Sequence, residues 1–373
     1  MNLCRIFLII CASMVFAIGL LMIFNTSSAE VLDDFASQSR GTHHALIRQM
    51  IYAVVGCIVA VGVWYVGYEN FLRLSFPFLC ILSFLLIMAF VPGIGQMRNG
   101  AYRWVGIGGY TVQPSEFVKL LIPAYYIYAV KSHGWVDVDF KYFLKIGAVI
   151  IVPLALVMLE PDNGTTAIII VTLVMLFFVT GVKMKYWVAP LFVVILVVVV
   201  AAYNMPYVVE RIKVYLNPEL DVRGWGHQPY QAKIAAGSGG LVGRGPGNSL
   251  QKLNYLPEAQ NDYIAAIYAE EFGFIGIFIL ITCYTVITYL GFYIAAYAKD
   301  KEGFYLAIAV TFLIAIQAFL NLGVVSGFLP STGLNLPLFS QGGTSLMTNI
   351  VGISMLLNIS WKSEKFGGVK HGA

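Results

Sequence analysis

Apolar and polar positions along this chain alternate in blocks, not residue by residue. Ten apolar runs stand out, near 4–24, 47–68, 71–92, 114–131, 143–160, 164–182, 187–205, 263–296, 304–325 and 340–361. Each has about the 17–25 residues that a helix needs to cross a bilayer, and the eighth is longer. A segment in lipid must satisfy its own backbone, so runs of this length predict helices. The expected fold is all-α: a polytopic integral membrane protein with about ten transmembrane helices in a single domain, 1–373. One large extracytoplasmic loop, 206–262, is expected between helices 7 and 8.

Composition agrees. Of 373 residues, 59% are hydrophobic and 11% charged, where a soluble domain carries roughly 25% charged residues. Mean hydropathy is +0.80. The net charge of +4 matters less than where the charges lie. With the N-terminus inside, twelve lysines and arginines, from Arg5 to Lys370, fall on the cytoplasmic side, against four in the short outer loops (Arg40, Arg48, Arg98, Arg103). That bias places both termini in the cytoplasm. The first segment ends in Ser27-Ser28-Ala29, like a cleavage site, but its apolar run exceeds the usual 7–15 residues, so a retained span is expected. The five cysteines show no CxxC and lie in or beside apolar runs, which points to neither a disulfide nor a metal site.

In the large loop, GSGGLVGRGPGNS (237–249) has six glycines in its first eleven residues. Free N–H groups in such a run can cradle phosphate, yet it fits neither GxGxxG nor GxxxxGK[ST], and a linker or a set of tight turns is the simpler reading.

The carboxylates are more telling. In YLPEAQNDYIAAIYAEEFGFIG (255–276), Asn261 is a fair N-cap, with Asp262 in the first turn at the outer lip of the eighth span. Helical rise puts Glu270 roughly 12 Å deeper, with Glu271 about 100° around the helix, so the two are not expected to share one wall. Both suit packing or buried pairing, and Glu258 suits a loop residue that shapes the lip. In NGAYRWVGIGGYTVQPSEFVKL (99–120), Pro114 can open a helix that sets Glu116 and Lys119 at i, i+3. Arg103-Trp104 could be an interfacial anchor. EPDNGTT (160–166) has turn chemistry around Asp162. The Gly/Pro/Ser-rich stretch 321–346 lies near membrane depth and is expected to line a wet cavity. All these features fall on the outer side, which suits an anionic amphiphile with its head outside and its tail in lipid. The residues by themselves leave a lipid-phosphate transporter and a transferase equally open.

These segments resemble the SEDS family (shape, elongation, division and sporulation). GNSLQKLNYLPEAQNDYIAAIYAEEFG (247–273) is similar to GNSxQKLxYLPEAHTDFIFAxxxEELG, and EPDNGTT to QPDLGT. NGAYRWVGIGGYTVQPSEFVKL is similar to NGAxRWI…QPSExxK, and NLGVVSGFLPSTGLNLPLFSQGGTSL to NxGxxxGLLPxTGxPLPFxSYGGSS. The first form leans toward the division branch of that family. The resemblance implies a ten-span peptidoglycan glycosyltransferase that polymerises lipid II, with Asp262 inheriting the essential aspartate as general base. It implies that Glu116, Lys119 and Asp162 line the cavity. Positive charge on the departing pyrophosphate is then expected from Arg211, Arg244, Lys252 and Arg103.

The implied partners are lipid II, an undecaprenyl-pyrophosphate-linked glycan, a class B penicillin-binding protein transpeptidase and other division proteins in the bacterial cytoplasmic membrane, with no nucleic acid. No cofactor is required by the resemblance; a divalent cation, Mg or Mn, would suit pyrophosphate, and no dedicated site for one is visible. A lipid II flippase and a non-catalytic scaffold for the transpeptidase are the alternatives. The chain departs from the family pattern at Gln260-Asn261, Tyr263, Asn163, Asn335 and Gln341.

Overall fold

The computed structural model describes residues 1–33, 43–98, 101–107, 109–135, 138–192, 213, 215–216, 224, 226–252, 256 and 259–366. Most of them are helical: α1 (Asn2–Asp33), α2 (His44–Val66), α3 (Tyr68–Met88), α4 (Pro114–Ser132), α5 (Phe140–Leu159), α6 (Asn163–Val179), α7 (His227–Ser238), α8 (Ile264–Ala296), α9 (Lys301–Val325) and α10 (Gly343–Phe366). Residues 184–192 are helical as well and coincide with the start of the seventh apolar run.

Six helices among the described residues (α1, α2, α3, α5, α8 and α9) are long and apolar enough to cross a membrane. α4, α6 and α10 coincide with the other apolar runs; α6 has 17 residues and falls just short in length. Large apolar side chains face outward, such as Ile58 at 67% exposure and Phe178 at 71%. A surface like that is stable against lipid, not water. The chain is a multi-pass membrane protein.

Local chemistry sets many helix ends. Pro114 opens α4 at its first turn. Asp139 and Asp300 cap α5 and α9 by accepting from the backbone N–H groups of Tyr142 and Gly303. Gly67, at φ +79°, turns α2 sharply into α3.

Ion pairs show how the helices alternate. Arg5 at the start of α1 pairs with Glu364 at the end of α10. Lys362, also on α10, pairs with Glu69 at the start of α3 at 3.2 Å. Lys131 at the end of α4 pairs with Glu302 at the start of α9 at 2.6 Å. The Tyr68 hydroxyl donates to Asp300 at 2.6 Å, so these ends share one face of the bundle, the face carrying the lysine-rich loops that the charge bias assigns to the cytoplasm. On α1, Leu8, Val15 and Met22 are buried at seven-residue spacing, and a side chain at Gly19 would collide with the Phe339 carbonyl. The first segment is thus an integral part of the bundle.

One outer segment differs from the all-helical expectation. β1 (Gly95–Arg98), β2 (Ala101–Ile107) and β3 (Tyr110–Val112) form a three-stranded antiparallel sheet. In AYRWVGI, Ala101 and Val105 are buried and Tyr102 is exposed, which is the period of two that a half-buried strand requires. Tyr52 of α2 fastens the sheet: its hydroxyl donates to the Thr111 carbonyl at 2.8 Å. The large loop, in turn, contains α7.

α9 is the most enclosed of the spanning helices: 61% of its apolar window is buried, against 22–39% for the others. Two polar residues of α9, Gln317 and Asn321, are each only 1% exposed, and the site is built there.

Candidate functional site

α8 is two helices joined by a break. Gly273 sits at φ 63°, ψ −161°, a region open essentially to glycine alone. Such a break orphans backbone groups on both sides. The glycine-rich run satisfies them: Arg244 and Gly245 donate to the carbonyls of Glu270 and Glu271, both at 3.0 Å, and the N–H groups of Phe274 and Ile275 donate to Gly240 and Leu241. A side chain at Gly239 or Gly243 would collide with the carbonyl of Ala269 or Glu271. The run is therefore neither a linker nor an open phosphate cradle, because the amides at 243–245 already bond to protein carbonyls.

The same loop receives both glutamates. Glu270 accepts from the Ser249 hydroxyl at 2.6 Å and pairs with Arg244 at 3.4 Å. Glu271 accepts from Lys252 Nζ at 3.1 Å, the Ser249 N–H at 3.4 Å and Asn25 Nδ2 at 2.6 Å. The two acids converge on Ser249. This corrects the expectation of separate walls, because a folded loop, not a flat helix face, supplies their partners. Arg244 and Lys252 are thus engaged at the far end of the short helix 264–272, roughly 12 Å by helical rise from Asp262. Arg211 and Glu258 lie outside the described residues.

At the near end, the helix starts two positions later than the pattern suggests. Tyr263 is the N-cap and makes no side-chain cap bond, so Asp262 and Asn261 precede the helix. Asp262 is half-buried and lines a cavity of about 70 Å³ with Gln228 of α7, Asn321 of α9 and the stretch Ser331–Leu334. A Cβ at Gly333, whose φ is +70°, would stand 3.8 Å from Asp262 Oδ2.

The loop 326–342 turns back into the bundle. Phe339 is fully buried, and Tyr284, eleven residues past the Gly273 break, donates its hydroxyl to the Pro337 carbonyl at 2.5 Å. Backbone at that depth must be held by side chains. Gln317 donates to the Asn335 carbonyl at 2.8 Å and accepts from Lys119 Nζ at 2.9 Å. Lys119 and Glu116 form a buried ion pair at 2.5 Å. Asn335 Nδ2 donates to the Gln341 carbonyl at 3.0 Å, and the Gln341 N–H donates to the Gln260 carbonyl at 3.0 Å. Three of the family departures, Gln260, Asn335 and Gln341, are therefore bonded neighbours within one polar chain running from Lys119 to the segment that carries Asp262.

Asp162 is buried and caps α6 by accepting from the Thr165 N–H at 3.2 Å; its other oxygen accepts from Gln113 and Ser115. The Asp162-Asn163-Gly164 turn is thus the start of a helix, and at Gly164 a Cβ would stand 2.7 Å from the Thr332 carbonyl. That contact brings this motif against the Asp262 cavity. Arg103 donates to the backbone carbonyls of Glu160 (2.9 Å) and Pro161 (2.5 Å), holding the same turn. Glu160 itself is fully buried, and neither carboxylate oxygen has a hydrogen-bond partner among the described residues. Burial first, then the nearby Asp162 charge, push its pKa up to about 9, against a smaller opposing effect of Arg103.

Segments 113–119, 162–166, 260–262, 317–321 and 331–342 thus meet at the outer end of the bundle. Gln317 is the site residue that sequence reasoning passed over, and Asn321 entered it only as the first residue of the 321–346 stretch. Their signal was there: two amides at i, i+4 in an otherwise apolar span. Among the described residues no three His, Cys, Asp or Glu side chains gather in a way that could hold a metal.

Fold and site together define a multi-pass membrane protein with a polar re-entrant site at its outer end. The chain belongs to the FtsW/RodA/SpoVE family, whose model, described as "Cell cycle protein", matches residues 5–365. It is 37% identical over 351 residues to the probable peptidoglycan glycosyltransferase FtsW of Legionella pneumophila, covering 93% of this chain and 88% of that protein. It is 34% identical over 354 residues to the stage V sporulation protein E of Bacillus subtilis, covering 95% and 96%. Two solved structures share the fold. One is a chain of a peptidoglycan synthase complex that coordinates polymerization and crosslinking (TM-score 0.76, 23% identity, 95% and 97% covered). The other is Thermus thermophilus RodA (TM-score 0.68, 22% identity, 98% and 97% covered).

Proposed function

We propose that this protein is a peptidoglycan glycosyltransferase that polymerises lipid II at the division septum, on the outer face of the bacterial cytoplasmic membrane. Relatives named FtsW, 31–37% identical over most of the chain, support the activity. The observation that carries the mechanism is the placement of Asp262. Its carboxylate stands outside the helix cap, at a cavity walled by amides, hydroxyls and a glycine-bearing loop. A carboxylate so placed can take the proton of the acceptor sugar's 4-hydroxyl as that oxygen attacks the anomeric carbon. The new C–O bond forms as the bond from anomeric carbon to phosphate oxygen breaks, and pyrophosphate leaves with the electron pair. Attack opposite the leaving group turns an α-linked phosphate into a β-1,4 bond, and one base suffices for such a single inversion. No step is assigned to a metal ion. A class B penicillin-binding protein is the proposed partner, in keeping with the likeness to a synthase-complex chain.

The test is lipid II polymerisation by purified protein with its transpeptidase. Asp262→Ala abolishes glycan product without lowering thermal stability. Product at the wild-type rate from that variant overturns the reading, and lipid II translocation that survives the substitution would favour a flippase.

A further inference from the structure

Most described cations near the site are already committed to the protein. Lys119 pairs with Glu116, Arg244 with Glu270 and Lys252 with Glu271, while Arg103 donates to two backbone carbonyls. The positive charge expected for the pyrophosphate is therefore not available from these residues without breaking a buried pair or releasing a turn.

Lys233 is different. It is half-buried on α7 and, among the described residues, makes neither a hydrogen bond nor an ion pair. α7 also supplies Gln228 to the Asp262 cavity, and its Ala232 and Ala235 are buried. The Lys233 side chain lies across Gly327, where a Cβ would stand 2.8 Å from Nζ and would overlap Cε. Gly327, at φ +75°, leaves that path open. The loop that begins there reaches the cavity at Ser331, Thr332 and Gly333. The ammonium thus stands over the loop that forms one cavity wall, with no anion among the described residues paired to it. Gln228, Ser331 and Thr332 add neutral donors alongside.

We propose that Lys233 is the cation that binds the phosphate of a lipid-linked pyrophosphate at the rim of the Asp262 cavity. This rests on the glycosyltransferase reading and names a binding residue for it. A phospholipid headgroup offers the same phosphate chemistry. The polar donors beside the rim favour the sugar pyrophosphate, which presents hydroxyl and amide groups to them.

The experiment uses the full chain in nanodiscs and measures lipid II polymerisation alongside equilibrium binding of lipid II to the Asp262→Ala protein. Lys233→Met is expected to raise KM and weaken binding about tenfold, as loss of one charge-assisted phosphate contact should, with kcat little changed. Lys233→Arg restores both, and the Lys233→Met defect shrinks in high salt. Unaltered KM and binding in Lys233→Met overturn the proposal. So does a defect seen only in nanodiscs containing anionic phospholipid, which would assign the charge to bulk headgroups. If Asp262→Ala protein still polymerises, the general-base reading falls, and the binding comparison still decides the role of Lys233.

Discussion

Asn321 donates through its side-chain amide to the backbone carbonyl of Asp262 at 2.8 Å and to that of Leu334 at 2.7 Å. One buried residue on the central helix thus ties the segment before α8 to the re-entrant loop. Both N–H groups are used, so the amide cannot flip without setting its oxygen against two carbonyls. Asn321→Leu leaves two carbonyls short of a donor, at about 1–3 kcal/mol each. Thermal melts should show a lower Tm, and kcat should fall more than KM rises, because Asp262 loses its support while the cavity floor persists. A Tm change with unaltered kcat would mean that the residue is structural only.

Breaking the ion pair under the glycine-rich loop should be costly on one side only. Glu271→Gln or Lys252→Met alone leaves a buried charge without its partner, worth about 3–5 kcal/mol. The double variant should recover much of that loss, and a thermal double-mutant cycle measures the coupling.

Gly273→Ala tests the break in α8. The backbone there is closed to alanine, and the added methyl would meet the Gly243 N–H. The expected result is a strongly destabilised protein with low yield in the membrane fraction, while Gly62→Ala, which meets nothing within 4 Å on α2, should behave as wild type.

Glu160 gives stability a pH dependence. Its folded pKa, about 9, lies above its ordinary 4.5. Between those values the folded protein holds a proton that the unfolded chain releases, so stability falls as pH rises from about 4.5 to 9 and then levels off. Glu160→Gln removes the titration and has the residue of the family pattern at that position. Its Tm should depend less on pH and exceed wild type near pH 8; parallel Tm-versus-pH curves for the two proteins would refute this.

Much of the fold was legible because lipid imposes a strong rule. A segment crossing it must be helical, apolar and about twenty residues long, so spans could be counted from runs such as 71–92 and oriented from lysines. The strands at 95–112 were less legible, since seven residues with period two carry little signal beside twenty-residue runs. Glu116 and Lys119 could be paired from their spacing alone, because i, i+3 neighbours meet on any helix.

The sequence by itself determined the helices, their direction and the short list of outer polar motifs, because those properties follow from local composition and period. Only the tertiary structure decided which charges are occupied and which face the cavity. Arg244, Lys252 and Lys233 look alike along the chain. Two of them meet glutamates across a break that Gly273 alone permits, and the third meets no acid among the described residues. Coulomb attraction acts through space, so the partner of a charge is set by folding contacts between residues about 20 to 30 positions apart, which no local pattern records.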